Sequence, residues 1–370
     1  MTSSRLSKLS AAMQTSGLEA LALNAGPSLV YLTGLHFHLS ERPVVALFTP
    51  GNEPVIVLPE LEMLKVSGMP VKAFPYPENP ADWQAVFRQA VGFLKLDGKR
   101  IGVEPRQMRL LEFRSLEAAT GTASRRTDFP DASELVSSLR ICKDKDEIVA
   151  MRKAVKVAQS ALEATIPLIK TGMTENELAS ELVVQLLRSG SQSEMPFAPI
   201  VSGGPNSANP HASPSNRKIQ PGDLLVVDWG AAVDGYISDL TRTFAVRDVQ
   251  EEYRKIHQVV LEANAAGRAV GKPGLACAVV DQAARKVIER SGYGVYFTHR
   301  TGHGIGMEGH EEPYMRGDNL QLLQPGMAYT VEPGIYLPER NGVRIEDNMV
   351  ITDTGVECLS DMPRELRVVG

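Results

Sequence analysis

The sequence predicts an α+β chain of two domains, an α/β domain followed by a larger one built as an internal twofold repeat. Three observations carry this. The chain has 370 residues, 43% of them hydrophobic, enough for more than one core. Its first 130 residues alternate helical and strand periodicity. From residue 143 onward, one helix-plus-hairpin pattern occurs twice, about a hundred residues apart. The balance of 39 Lys and Arg against 44 Asp and Glu, net −5, leaves no basic footprint for nucleic acid. No apolar run approaches the ~18 residues of a membrane helix.

Taken in order, residues 4–23 have the spacing of an amphipathic helix, interrupted too often by polar residues for a secretion signal. Strands follow at 43–48 and 54–58 across the turn Pro50-Gly51-Asn52-Glu53. A helix covers 81–96 and a short strand 100–103. Phe129-Pro130-Asp131-Ala132 punctuates the end, so the first domain is 1–130, a linker 131–142 and the second domain 143–370. There, Lys143-Asp144-Lys145-Asp146-Glu147 opens a long helix to about residue 169, its first-turn acids suiting the helix dipole. Another helix spans 175–188 and stops at Gly190. Strand and turn signals dominate to Val246, helices return over 251–267 and 276–289, and the remainder is strand-rich. Cys142, Cys277 and Cys358 are scattered, odd in number and without a CxxC pair, which points to reduced thiols and a cytoplasmic setting.

The repeat locates the chemistry. Gly172 to Gly190 is matched by Gly274 to Gly292 at an offset of 102, with Leu178, Leu182 and Leu186 opposite Val280, Ala284 and Ile288. Gln220-Pro221-Gly222 recurs as Gln324-Pro325-Gly326. Six residues past each glycine stands an acid, Asp228 or Glu332, and each copy carries a second on the returning strand, Asp239 or Glu346. Asp228 and Asp239, 11 apart around Val233-Asp234-Gly235, share a hairpin face if the loop has even length. Glu332 and Glu346, 14 apart around Arg340-Asn341-Gly342, need a three-residue or bulged turn, expected with Gly342 left-handed. Four carboxylates among Val226, Val227, Ile237, Val331 and Ile345 cannot all stay ionised uncompensated, and two divalent cations would neutralise them. Thr301-Gly302-His303-Gly304-Ile305-Gly306 adds an imidazole, giving a set that suits Mn²⁺, Co²⁺, Fe²⁺ or Zn²⁺. His310, before Glu311-Glu312-Pro313, and His211, after Asn209-Pro210, sit in glycine- and proline-marked loops. His257 fits a helix face as a structural residue, and His299 is a candidate for a group supporting the ligands from behind.

Together these strings resemble the pita-bread metallopeptidase family, in its Xaa-Pro branch of prolidases and aminopeptidases P. The carrying motifs are Asp228-Trp229-Gly230, Ser238-Asp239-Leu240-Thr241-Arg242-Thr243, Gly302-His303-Gly304-Ile305-Gly306, His310-Glu311-Glu312-Pro313, Val331-Glu332-Pro333-Gly334 and Gly342-Val343-Arg344-Ile345-Glu346-Asp347. Tyr31-Leu32-Thr33-Gly34 and Glu41-Arg42-Pro43 mark the first domain as similar to the family's creatinase-like N-terminal domain. The resemblance implies an α+β pita-bread catalytic domain with a pseudo-twofold repeat, preceded by an α/β creatinase-like domain. It implies two divalent ions, Mn²⁺ or Co²⁺ ahead of Zn²⁺ or Fe²⁺, held by Asp228, Asp239, His303, Glu332 and Glu346. Asp239 and Glu346 would bridge the pair. The implied reaction is hydrolysis of the Xaa-Pro bond in dipeptides or short peptides by a metal-bridging hydroxide, with Glu332 as general base. His310 would steady the oxyanion and His211 line the substrate pocket. By position, Arg344 would hold a metal-binding carboxylate and Tyr236 would do so for Asp239. A homodimer is also implied, in which the loop at 35–42 brings His36, His38 or Arg42 to the substrate of the other subunit. Whether the chain is a dipeptidase or an aminopeptidase P stays open at this level. Rival readings are another aminopeptidase of the family, an organophosphate-cleaving relative and a non-catalytic scaffold, the last disfavoured by the unsubstituted ligand set.

Overall fold

In the computed structural model, which describes residues 3–121 and 126–370, the chain forms two units, Met1–Arg140 and Ile141–Gly370. In the first, α1 (Ser3–Ser16) stops at Gly17, φ 66°, and the chain re-enters as β1 (Ala20–Asn24), buried at every position. The helix expected over 4–23 is therefore too long. A short apolar run such as Ala20 to Leu23 fits a central strand as well as a helix, and Gly17 is the stop signal. There follow α2 (Pro27–Thr33), β2 (Val45–Phe48), β3 (Val55–Pro59), α3 (Met63–Val66), β4 (Lys72–Tyr76), α4 (Pro80–Leu94), β5 (Ile101–Val103), α5 (Leu110–Ala119) and α6 (Ser133–Arg140). The sheet runs β4-β3-β2-β1-β5, with β1–β5 and β3–β4 parallel and the other pairs antiparallel. Ala22, Val45, Val57 and Ile101 pack there with Phe87 and Val91 of α4. The linker expected over 131–142 is not extended. Asp128 and Asp131 bridge to Arg100 and Val103 at the β5 edge, and α6 buries Val136 and Leu139, which carries the unit on to Arg140.

The second unit opens with α7 (Lys145–Thr165). Asp144 accepts from the backbone N–H of Asp146 and of Glu147, while Glu147 returns to the Asp144 N–H. This reciprocal cap is what the acidic cluster encodes. Thr174 and Glu177 repeat the device at α8 (Glu175–Arg188). The first half of the repeat continues with β6 (Ile200–Gly203), β7 (Leu224–Trp229), β8 (Ala232–Val233), β9 (Tyr236–Ile237) and β10 (Leu240–Val246). The second half comprises α9 (Glu251–Val270), α10 (Cys277–Arg290), β11 (Gly302–Gly304), β12 (Glu311–Met315), β13 (Ala328–Val331), β14 (Gly334–Tyr336), β15 (Gly342–Arg344) and β16 (Asp347–Ile351), then β17 (Val356–Cys358) and β18 (Arg367–Val369). Two sheets result, β18-β10-β7-β6 and β12-β11-β13-β16-β17. Leu178, Leu182 and Leu186 pack on Val201, Leu225 and Trp229, and Ala284 and Ile288 pack with Ile335 and Val343. Gly172, Gly222, Gly274 and Gly326 share φ between 82° and 92°, so the same left-handed turns recur in both halves. Among the described residues no helix is long and apolar enough to cross a membrane.

Candidate metal centre

Two bent hairpins bring the acids together. β7 and β10 pair with Asp228 opposite Thr241, and β8 and β9 continue that register to a turn at Asp234 and Gly235, φ 52° and 78°. Such a two-residue turn keeps the loop even. Asp239 stands two residues before Thr241 and so shares the Asp228 face. In the second hairpin β13 pairs with β16, and β14 with β15, in one register that sets Glu332 opposite Glu346. Its loop, closed by the Leu337 N–H on the Asn341 carbonyl, spans Pro338, Glu339 and Arg340. The odd-length loop is as expected, but its left-handed residue is Glu339, φ 61°, not Gly342. Gly342 lies inside β15, where a Cβ would strike the Ser207 carbonyl and where its N–H donates to Ser207 Oγ at 2.8 Å. Its glycine serves a close approach rather than a turn. The hairpins are stitched together by the Glu346 N–H donating to the Thr241 carbonyl at 3.1 Å and by Arg242, whose Nη1 donates to both the Thr241 and Glu346 carbonyls.

His303 enters on β11, between glycines whose Cβ atoms would collide with the Thr330 and Glu312 carbonyls. Its Nδ1 lies 3.0 Å from the Gly304 carbonyl and must donate to it. That fixes the tautomer and leaves Nε2 with a bare lone pair. Nε2 is 3.3 Å from Glu332 Oε1 and 3.6 Å from Asp239 Oδ2. Ligand atoms of Asp239, His303 and Glu346 lie within 4.8 Å of one another. Burial, with the charges of Glu346, Asp228 and Glu332, pushes the Asp239 carboxyl well above the usual range; burial and the charges of Glu332 and Asp228 do so for Glu346. Glu332 is pushed up to about 7, chiefly by burial, against the pull of Arg344. Burial holds His303 well below its ordinary value, hence neutral.

One guanidinium offsets this charge. Arg344 donates through Nη2 to Asp228 Oδ2 at 2.6 Å, through Nε to Thr241 Oγ1 at 3.1 Å and through Nη1 to Tyr336 Oη at 3.0 Å. Although its own burial opposes the charge, Tyr336, Asp228, Glu346 and Glu332 hold it firmly protonated. Asp228 Oδ1 is buried with no hydrogen-bond partner. An orphaned carboxylate oxygen, a bare imidazole nitrogen and crowded acids form a donor set that fits divalent cations.

The other expected residues distribute as follows. Arg344 does hold a carboxylate of the set. Tyr236 places its hydroxyl 2.6 Å from Glu147 Oε1 at the start of α7, rather than on Asp239; the Asp239 backbone is held instead by Asn348, through Oδ1 at 3.1 Å and Nδ2 at 2.6 Å. Adjacency in sequence misplaced it, because the strand turns its ring towards the helix. His310 is exposed, its ring 4.1 Å from that of His303, and burial of part of the ring with the Arg300 charge lowers its pKa. His211 is exposed on the loop after β6. His299 donates from Nδ1 to the Arg300 carbonyl, so its Nε2 accepts from Tyr336 Oη at 2.9 Å, backing Arg344. His257 is buried on α9 and is not part of the candidate metal-binding group found among the described residues. In the first unit His36 and His38 are exposed with rings 5.6 Å apart, and Arg42 pairs with Glu41 and Glu78. Sequence reading missed Arg300. Its guanidinium stacks on Tyr314 at 4.5 Å, has no hydrogen bond or ion pair among the described residues, and acts on Glu332, His303 and His310. Its only mark in the sequence is a place between His299 and the His303 motif.

Residues 149–353 match metallopeptidase family M24. The chain belongs to this family. Its residues 5–142 match the creatinase/prolidase N-terminal domain. Among curated M24 relatives, an Xaa-Pro dipeptidase of Lactobacillus delbrueckii subsp. lactis is 32% identical over 98% of this chain and 98% of its own. Among solved structures, a prolidase from Thermococcus sibiricus superposes with a TM-score of 0.93 at 33% identity, covering 99% of this chain and 98% of the other. An X-Pro aminopeptidase from Thermotoga maritima superposes at 0.85 with 29% identity, covering 98% and 99%. The pita-bread and creatinase-like architecture expected from the motifs is thus the architecture of the molecule.

Proposed function

We propose that this M24 enzyme is an Xaa-Pro dipeptidase whose ligands Asp228, Asp239, His303, Glu332 and Glu346 hold two divalent ions, Mn²⁺ or Co²⁺ first among them. The observation that carries the hydrolytic reading is the bare Nε2 of His303 amid carboxyls that burial and one another's charge push well above the usual range. Divalent ions bound there supply Lewis-acid polarisation of a carbonyl and water activation at neutral pH. Glu332, raised to about 7 and hydrogen-bonded by Thr330 Oγ1 at 3.3 Å, is poised to accept a proton and return it to a leaving nitrogen. An Xaa-Pro amide is tertiary and has no N–H, so no site that grips an amide N–H can use it; like any amide nitrogen, it must be protonated to leave. His310, kept neutral, can donate a ring N–H to oxygen as charge develops. His211 lines the pocket.

Arg300 favours a dipeptide over a longer peptide. A dipeptide carries its carboxylate one residue past the scissile bond, and an uncommitted guanidinium beside Glu332 and His310 suits that charge. A homodimer with the 35–42 loop reaching the partner's site, in a reducing cytoplasm that keeps the three cysteines out of disulfides, completes the reading. The test compares Ala-Pro with Ala-Pro-Ala on chelator-stripped protein reloaded with Mn²⁺, Co²⁺ or Zn²⁺. Preferential cleavage of Ala-Pro, with Arg300→Met raising KM for Ala-Pro but not for its amide, is expected. Better cleavage of the tripeptide makes the enzyme an aminopeptidase P. Cleavage of neither by protein carrying two ions removes the proline assignment.

A further inference from the structure

We infer that Lys143 is a positioning residue for His310, acting through Glu311. The inference rests on the proposed role of His310. His310 has no hydrogen bond of its own among the described residues; its one aromatic ring contact there is with His303. Its orientation must therefore come from the backbone around it. The next residue, Glu311, opens β12 and receives Lys143 Nζ on Oε1 at 2.5 Å. Both ends are withdrawn from water, the Lys143 side chain 1% exposed and that of Glu311 11%. Lys143 is itself immobilised, its N–H on the Gly326 carbonyl at 2.8 Å in a turn where Gly326 is left-handed. Gly306, in the His303 motif, admits the pair: a Cβ there would stand 2.6 Å from Glu311 Oε1 and 2.8 Å from Lys143 Cε. The pair thus ties the backbone that follows His310 to the 141–143 segment and, through the Lys143 N–H, to Gly326, with Gly306 of the His303 motif packed against it.

A buried ion pair is weak evidence for net stability, and fixing the register of the segments it joins is its best-attested use. Glu311 and Lys143 place the imidazole in an otherwise exposed loop, which converts an unanchored side chain into one held for the transition state.

The test uses Mn²⁺-loaded enzyme and Ala-Pro. His310→Ala is expected to lower kcat about a hundredfold. Lys143→Met is expected to lower kcat about tenfold with KM and metal content little changed, and the double variant to be no slower than His310→Ala, since the two act as one unit. In metal-free protein, hydrogen exchange over 308–313 accelerates in Lys143→Met. Because an unpaired Glu311 can destabilise the fold, Lys143→Met with Glu311→Leu provides a stable apolar replacement that should remain as slow as Lys143→Met. Wild-type kcat in folded, metal-loaded Lys143→Met, or losses that multiply with His310→Ala, overturn the inference alone. Wild-type kcat in His310→Ala overturns the role of His310 and the inference with it.

Discussion

At the residue scale the centre is organised around Arg344. It touches a candidate ligand, Asp228, a hydroxyl shared with a second, Thr241 Oγ1 on Glu346 Oε2 at 2.6 Å, and Tyr336, which is backed in turn by His299. Its fork fixes Asp228 through Oδ2 and leaves Oδ1 buried without a hydrogen-bond partner. Arg344→Met should weaken metal binding by about 10–100-fold, the range seen when a group that orients a ligand is lost. Competitive chelator titration checks this, and unchanged affinity rules it out. Arg344→Lys should not rescue it, because a point charge cannot serve three acceptors along a rigid fork. That Arg344 would pair with an acid of the candidate set was suggested by its place two residues before Glu346, and it does pair with Asp228. The role of Tyr236 was misread because strand adjacency says nothing of where a ring turns once a helix packs over it. Arg300 went unseen because a cation stacked on Tyr314 leaves no spacing signal.

At the element scale, hairpin parity decided which acids face one another. An even loop in the first repeat and an odd loop in the second followed from counting residues, and both hold. What counting could not supply was the cause of Gly342. A glycine before a strand reads as a turn residue, whereas here β15 runs against the Ser207 carbonyl with no space for a side chain. The two positions therefore respond oppositely to substitution. Gly342→Ala should destabilise the protein by about 1–3 kcal/mol through forced displacement of the backbone. Glu339→Gly, which relieves a left-handed non-glycine, should stabilise it by several tenths to about 1 kcal/mol. Thermal unfolding of the metal-loaded variants reads both. Equal and opposite signs to these would return the turn to Gly342. The helices were the more legible elements, since Asp144-Glu147 and Thr174-Glu177 announce their starts; the failure at residues 20–23 shows the limit, a short apolar run without a cap of its own.

At the scale of the whole molecule, the duplicated motif was the strongest signal, because symmetry shows in glycine and acid spacing before any contact is known. The unit boundary was less visible, since 133–140 is helix where turn-formers alone mark a break. The 35–42 loop tests the assembly: His38→Ala should raise KM for Ala-Pro several-fold without altering metal content, and an unmoved KM would remove this loop from the substrate. The site's charge also has a consequence for the whole fold. In the metal-free protein Glu332 stays protonated to about 7, and Asp239 and Glu346 are likewise raised by burial and mutual repulsion, whereas the unfolded chain loses these protons near 4. The folded state then binds more protons, so these groups lower stability as pH rises. Below about 6.5 this is opposed by His303, His299 and His257, each held neutral by burial in the folded state and protonated in the unfolded one. Above that pH the histidines are neutral in both states and only the carboxyl effect remains. Metal-free protein should therefore lose Tm between pH 6.5 and 8, while Mn²⁺-loaded protein, whose ligands are ionised and neutralised throughout, should not. A metal-free Tm that holds steady across that interval would mean that the acids are compensated without any cation, and the centre would lose its electrostatic reason to bind one.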